Sequence, residues 1–158
     1  QLLNELDGAK LKCKGEAPRP MRIWEAAGLP AVLLDALARR GFATPFAVQC
    51  VGIPVLMSGR DLMVTAKTGS GKTLMYLLPA VRHAMNQDRC GKGEGPIVLI
   101  LVPTQELAAQ VVAAAQPLAD AVGLRVVLSC GSVPLGENIK KCVAGCDIMV
   151  AVPGRLLD

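Results

Sequence analysis

Residues 66–73 read Ala-Lys-Thr-Gly-Ser-Gly-Lys-Thr, between the apolar run Asp61-Leu-Met-Val-Thr65 and the apolar segment Leu74-Met-Tyr-Leu-Leu78. A strand, a glycine-rich turn and a helix in that order make a phosphate cradle. Glycines let the backbone wrap closely around an anion, with successive N–H groups aimed at it. The positive end of the following helix adds attraction for negative charge. In this reading Ala66, Lys67, Thr68, Gly69, Ser70, Gly71, Lys72 and Thr73 bind nucleotide phosphate. Lys72 reaches the β and γ phosphates and is the catalytic candidate, and the Thr73 hydroxyl ligates Mg²⁺. Ala66 stands where the general pattern G-x-x-x-x-G-K-[ST] has glycine. The bland alternative is a glycine-rich turn with an incidental lysine.

The 158 residues suffice for one domain with a core, and 52% of them are hydrophobic, which excludes a disordered chain. No apolar run approaches the roughly 18 residues of a membrane span. The chain starts at Gln1, without methionine or signal-like segment, and is expected to be a piece of a longer protein. A net charge of +4 suits a phosphate-rich partner. Aromatic content of 3% argues against a stacking platform for single-stranded bases, so nucleic-acid contacts would go to the phosphate backbone. The six cysteines are scattered. Cys142 and Cys146 share a helical face as a weak zinc pair, but reduced, packed thiols in an intracellular protein are the favoured reading.

Residues 1–28 are mixed in charge and hold Pro18 and Pro20, and they read as an N-terminal arm ahead of a domain over 29–158. Pro30 opens a helix that Gly41 stops, and a second helix runs from Pro45 toward Met57. From there strands are expected at 62–65, 97–102, 125–129 and 148–152, with helices at 73–86, 105–121 and 135–143 between them. Pro117 should kink the second of these helices or end it early. Strand–helix alternation gives an α/β fold, a parallel sheet flanked by helices with right-handed crossovers. Ligands then sit beyond the carboxyl ends of the strands. The loops after the four strands, including Pro103–Glu106, Cys130–Val133 and Pro153–Arg155, are expected at one edge.

These loops, in this order, resemble the first RecA-like lobe of the DEAD-box RNA helicases. The phosphate loop matches that family's A-x-T-G-S-G-K-T, which accounts for Ala66. Pro103-Thr-Gln-Glu-Leu-Ala108 matches P-T-R-E-L-A, Gly131-Ser132 its double glycine, and Val152-Pro-Gly-Arg155 its T-P-G-R. Gly41-Phe-Ala-Thr-Pro-Phe-Ala-Val-Gln49 matches the adenine-reading segment, and Trp24 stands upstream where the family keeps a lone aromatic. A narrower resemblance, to the spliceosomal branch-site-remodelling subfamily, rests on Lys12-Cys-Lys-Gly15, Pro18-Arg-Pro20, Trp24, Lys67 and Gly93-Glu-Gly-Pro96.

The resemblance implies a RecA-like P-loop NTPase lobe that binds ATP and Mg²⁺ in an RNA helicase, acting in the nucleus on pre-mRNA splicing with ribonucleoprotein partners. Gln49 would read adenine, because a side-chain amide matches its N6 and N7 edge. Trp24 or Phe42 would stack on the base; for Trp24 the alternative is plain packing. Pro103, Thr104, Gln105, Gly131, Ser132, Pro153, Gly154 and Arg155 would hold the RNA backbone without reading sequence. Gln105, Ser132 and Val152 depart from the family's arginine, glycine and threonine, and Phe46-Ala47 from its Thr-Pro. RNA binding is therefore expected to be weaker than in a typical member. The Asp-Glu-Ala-Asp segment and second lobe would follow Asp158, so this stretch alone is expected to hydrolyse no ATP. Two other readings stay open: a degenerate nucleotide-binding scaffold in a ribonucleoprotein, and a P-loop ATPase that does not act on RNA.

Overall fold

The computed structural model describes residues 15–157. The expected arm lies partly outside them. The chain forms two compact units, the residues up to Pro79 and those from Ala80 on.

In the first unit, Met21, Trp24, Ala27 and Leu29 are buried. Trp24–Ala27 is a short 3₁₀ turn, and the Met21 N–H donates to the Cys50 carbonyl at 2.9 Å. This part of the arm is therefore packed into the unit. Helix α1, Ala31–Arg39, buries Leu33, Ala36 and Leu37 and ends before Gly41, whose φ of 75° suits a residue without Cβ. Helix α2, Ala47–Met57, buries most of its length, including Ile53 and Val55. It lies against the next helix so closely that a Cβ on Gly52 would run into the Met75 sulfur. Helix α3, Lys72–Ala84, follows the phosphate loop and buries Leu74, Met75, Leu77 and Leu78.

The expected strand over 62–65 does not form. Residues 61–66 alternate between exposed and half-buried as an extended chain does, and Met63 is 96% exposed. A strand exists only by hydrogen bonding to a neighbour, and no described residue pairs with this segment.

The second unit holds the sheet: β1 (Val98–Leu101), β2 (Val126–Ser129) and β3 (Ile148–Ala151), all parallel, in the order β1-β3-β2. The expected strands are present, each a residue or more shorter. Central β3 is buried throughout. Helix α4 (Gln105–Val122) connects β1 to β2 and packs on β2 and β3; helix α5 (Leu135–Val143) returns the chain from β2 to β3 and packs on β2. The two connections run in opposite directions across the sheet, so right-handed crossovers put α4 and α5 on opposite faces. Val127, Met149 and Ala151 form the face that receives Cys142 from α5. Ile148 and Val150 point the other way.

Two expectations are corrected here. Pro117 does not end α4, which continues to Val122 and closes on Gly123 at a φ of 71°. Pro117 is exposed, while Ala115, Leu118 and Ala119 around it are buried, so packing carries the helix past the missing N–H. Pro153-Gly-Arg155 is not a loop but the start of a short helix, α6 (Pro153–Leu157). Proline at a first helical position lacks an N–H that has no intrahelical partner anyway.

Asp147 locks the base of the sheet. Its side chain is fully buried, and its carboxylate accepts from Arg125 Nε (3.0 Å), Arg125 Nη2 (2.8 Å) and the Arg125 backbone N–H (2.8 Å). The forked pair ties the entry of β2 to the entry of β3, and Arg125 also reaches the Cys90 and Ala144 carbonyls.

Candidate functional site

The phosphate loop lies in the first unit and begins with an open backbone. Gly69 and Gly71 have φ values of 75° and 89°, a region that side-chain-bearing residues avoid. Lys72 opens α3, and its ammonium donates to the Ala66 carbonyl (2.5 Å) and the Lys67 carbonyl (2.6 Å). The lysine therefore rests on the rim of its own loop. The Ser70 hydroxyl oxygen is buried and has no hydrogen-bond partner among the described residues, a state that buried polar atoms rarely keep in native folds. Thr73 follows Lys72, its side chain hydrogen-bonded to Tyr76; burial raises the Tyr76 phenol, and this bond partly offsets it.

Gln49 couples α2 to that loop. It is 2% exposed; its Oε1 accepts from the Phe46 N–H (2.8 Å) and its Nε2 donates to the Gly71 carbonyl (3.0 Å). One lone pair and one N–H of the amide remain for a ligand. Gly71 has no room for a side chain: a Cβ would stand 2.5 Å from Gln49 Nε2 and 2.8 Å from the Phe46 ring. The two aromatic candidates lie in the same unit. Trp24 is 5% exposed and donates from its indole to the Phe42 carbonyl at 2.9 Å. Phe42 carries the Arg40 guanidinium 5.3 Å from its ring centre. Trp24, Leu34, Ala38 and Phe42 line a cavity of about 330 Å³.

The loops after the three parallel strands share the carboxyl edge of the sheet in the second unit. Thr104 caps α4, its hydroxyl accepting from the Leu107 N–H at 3.2 Å. The Gln105 amide lies over Gly131, where a Cβ would be 2.8 Å from its nitrogen. Ser132 faces the Cys130 sulfur at 3.0 Å. The Arg155 guanidinium donates to the carbonyls of Cys130 (3.2 Å), Gly131 (3.3 Å) and Val133 (3.0 Å). Sequence reasoning placed Pro103, Thr104, Gln105, Gly131, Ser132, Pro153, Gly154 and Arg155 at one edge, and three strand ends bring them there. It did not see that Arg155 braces the neighbouring loop, because three carbonyls offered by a different strand end leave no local pattern.

No group of three or more His, Cys, Asp or Glu suited to a metal occurs among the described residues. The Cys142–Cys146 pair is therefore not part of such a cluster.

The family model for DEAD/DEAH box helicases matches residues 46–158. The chain belongs to that family. It is 42% identical over 154 residues to the probable ATP-dependent RNA helicase DDX46 of Homo sapiens, covering 98% of this chain and 15% of that protein. It is 42% identical over 158 residues to the pre-mRNA-processing ATP-dependent RNA helicase PRP5 of Pyricularia oryzae, covering 100% of this chain and 16% of that protein. The chain thus spans less than a fifth of these relatives' length. Among solved structures, the RNA helicase Prp28 of Chaetomium thermophilum bound to ADP superposes with a TM-score of 0.84 at 42% identity, over 92% of this chain and 35% of that one. A DEAD box protein of Methanococcus jannaschii gives 0.76 at 28% identity, over 88% and 37%. The fold is accordingly the RecA-like lobe of DEAD-box helicases.

Proposed function

We propose that this chain is the N-terminal ATP-binding lobe of an ATP-dependent RNA helicase that remodels RNA in pre-mRNA splicing, in the nucleus. The single observation that carries the nucleotide part is the phosphate loop. Among the described residues, a buried Ser70 hydroxyl without a partner lies between two glycines at positive φ, near a lysine whose ammonium donates to two loop carbonyls. All three features answer to an anion. The relatives' names support the RNA and splicing parts.

In this reading Lys72 leaves the Ala66 and Lys67 carbonyls for the β and γ phosphates, and Ser70 gains the partner it lacks. Gln49 keeps its bond to Gly71 and presents its remaining donor and acceptor to adenine, so base recognition and loop position are linked through one amide. Trp24 acts through Phe42, holding the turn after α1. A magnesium ion would screen phosphate charge, and Thr73 is the residue of this chain placed to hold it; phosphate oxygens and water supply the rest. At the sheet edge, Arg155 shapes the 130–133 loop so that backbone N–H groups there, with Thr104 and Gln105, meet RNA phosphates.

A nucleotide-binding scaffold is the second reading, favoured by the engagement of Arg155 with its own fold and by the missing charge at Gln105. Titration of the full-length protein with ADP and GDP tests the first. ADP binding should disappear in Lys72→Ala, and preference over GDP should disappear in Gln49→Ala. Binding that survives Lys72→Ala would remove the phosphate-loop assignment. Nucleotide binding without RNA-stimulated ATP hydrolysis would move the scaffold reading ahead.

A further inference from the structure

The chain has a single tyrosine, Tyr76, which stands in α3 three residues after Thr73. Residues three apart on a helix are neighbours on one face. Lys72, Thr73 and Tyr76 are half-buried, whereas Leu74, Met75, Leu77 and Leu78 are buried, so these three share the side of α3 that its buried residues leave open. Helical side chains lean toward the helix N-terminus, which carries the Tyr76 ring back over the turn that holds Thr73. There the phenol is hydrogen-bonded to the Thr73 side chain. A phenylalanine would fill the same space, so packing alone does not call for the hydroxyl.

That bond bears on what Thr73 can do. A threonine in a helix divides between two side-chain rotamers, because its hydroxyl can turn back to an upstream carbonyl. A partner fixed one turn along the helix selects between them. The hydroxyl carries one proton and two lone pairs. When it ligates a cation through a lone pair, its proton needs a separate acceptor, and partners of this kind orient the ligand. The Tyr76 oxygen is such an acceptor, supplied by the same helix. No group of three or more His, Cys, Asp or Glu suited to a metal occurs among the described residues, so the direction of this one hydroxyl carries their share of the metal site.

We propose that Tyr76 is a positioning residue for magnesium: its phenol oxygen takes the Thr73 proton and holds the threonine in the rotamer that leaves its lone pairs to the ion. The inference rests on the nucleotide reading above and deepens it. Tyr76 itself touches neither nucleotide nor metal; it acts through Thr73.

The test is calorimetric titration of the full-length protein with ADP, in EDTA and across a Mg²⁺ series, for the parent, Tyr76→Phe, Thr73→Val and the double variant. Tyr76→Phe keeps the ring and loses only the hydroxyl. In EDTA it should bind ADP and melt as the parent does, while the Mg²⁺ concentration that half-maximally tightens ADP binding rises about tenfold. Added to Thr73→Val, the same change should have no further effect. An unchanged Mg²⁺ midpoint in Tyr76→Phe overturns the proposal and leaves the nucleotide site standing. Equal losses of ADP affinity with and without Mg²⁺ also overturn it, because the phenol would then act on the loop as a whole. A parent whose ADP affinity ignores Mg²⁺ overturns it as well. If the parent binds no ADP under either condition, the nucleotide reading fails and this inference fails with it.

Discussion

At the scale of single residues, Asp147 and Arg125 show how a charge is kept inside this fold. Hydrogen bonding from Arg125 holds the Asp147 carboxyl below the usual carboxylate range, against burial, which pushes it up. The folded state therefore binds that proton less tightly than the unfolded chain. The resulting stability is complete above the unfolded value near 3.8 and is lost as pH falls through the lower folded one. Arg125→Ala leaves the buried carboxylate with backbone donors alone and should cost about 3–5 kcal/mol in urea unfolding. Asp147→Asn should cost less, because the Arg125 side chain is 37% exposed and can turn to water. A larger loss in Asp147→Asn would contradict this account. Gly145 belongs to the same lock: at a φ of 110°, any side chain there would run into the Arg125 guanidinium. Cys146, beside it in the core, has its thiol pushed up to about 12, chiefly by burial. Iodoacetamide at neutral pH should therefore leave Cys146 unmodified in the folded protein and label it on unfolding.

At the scale of elements, α4 carries both a signal that sequence states and one it misstates. Thr104 reads as an N-cap and is one, so Thr104→Ala should lower stability by about 1 kcal/mol in chemical denaturation. Pro117 reads as a break and is not one, since the helix surface on either side of it is buried. Restoring an N–H at this exposed position should stabilise: Pro117→Ala is expected to gain about 1–2 kcal/mol, less than the full helix-interior cost of proline because the unfolded chain gains freedom. A drop in melting temperature for Pro117→Ala would mean that α4 relies on the irregularity. In α5, Asn138 is buried, and its amide donates to the Leu128 carbonyl at 2.6 Å, fastening the helix to β2.

At the scale of the molecule, the sheet edge and the 66–73 loop are asked to do separable things by the proposed function. β1 forms one edge of the three-stranded sheet, with Leu99 and Leu101 45% and 53% exposed. No helix among the described residues is long and apolar enough to cross a membrane. RNA affinity should depend on charge at the carboxyl edge, where Gln105 lies over Gly131 and Arg155 is bound to the 130–133 carbonyls. Gln105→Arg in the full-length protein should tighten RNA binding and steepen its salt dependence by about one phosphate contact, with ADP affinity unchanged. Unchanged RNA affinity across a salt series would show that position 105 does not face the RNA.

The sequence by itself determined the glycine-rich turn ahead of α3, the α/β alternation, three of the four expected strands and the family, because each rests on residues adjacent in the chain: glycines at a turn, an apolar run, a cap. Only the tertiary structure decided the rest. Whether 62–65 became a strand depended on a neighbour to pair with. Whether Pro117 ended a helix depended on the burial of its neighbours Ala115, Leu118 and Ala119 against the rest of the fold. Arg155 bracing the loop after β2, Asp147 joining two strand entries, and Gln49 with Phe46 closing on Gly71 all join residues about 20 or more positions apart. Hydrogen bonds and close packing at that separation are set by the folded path of the chain, which no local pattern encodes.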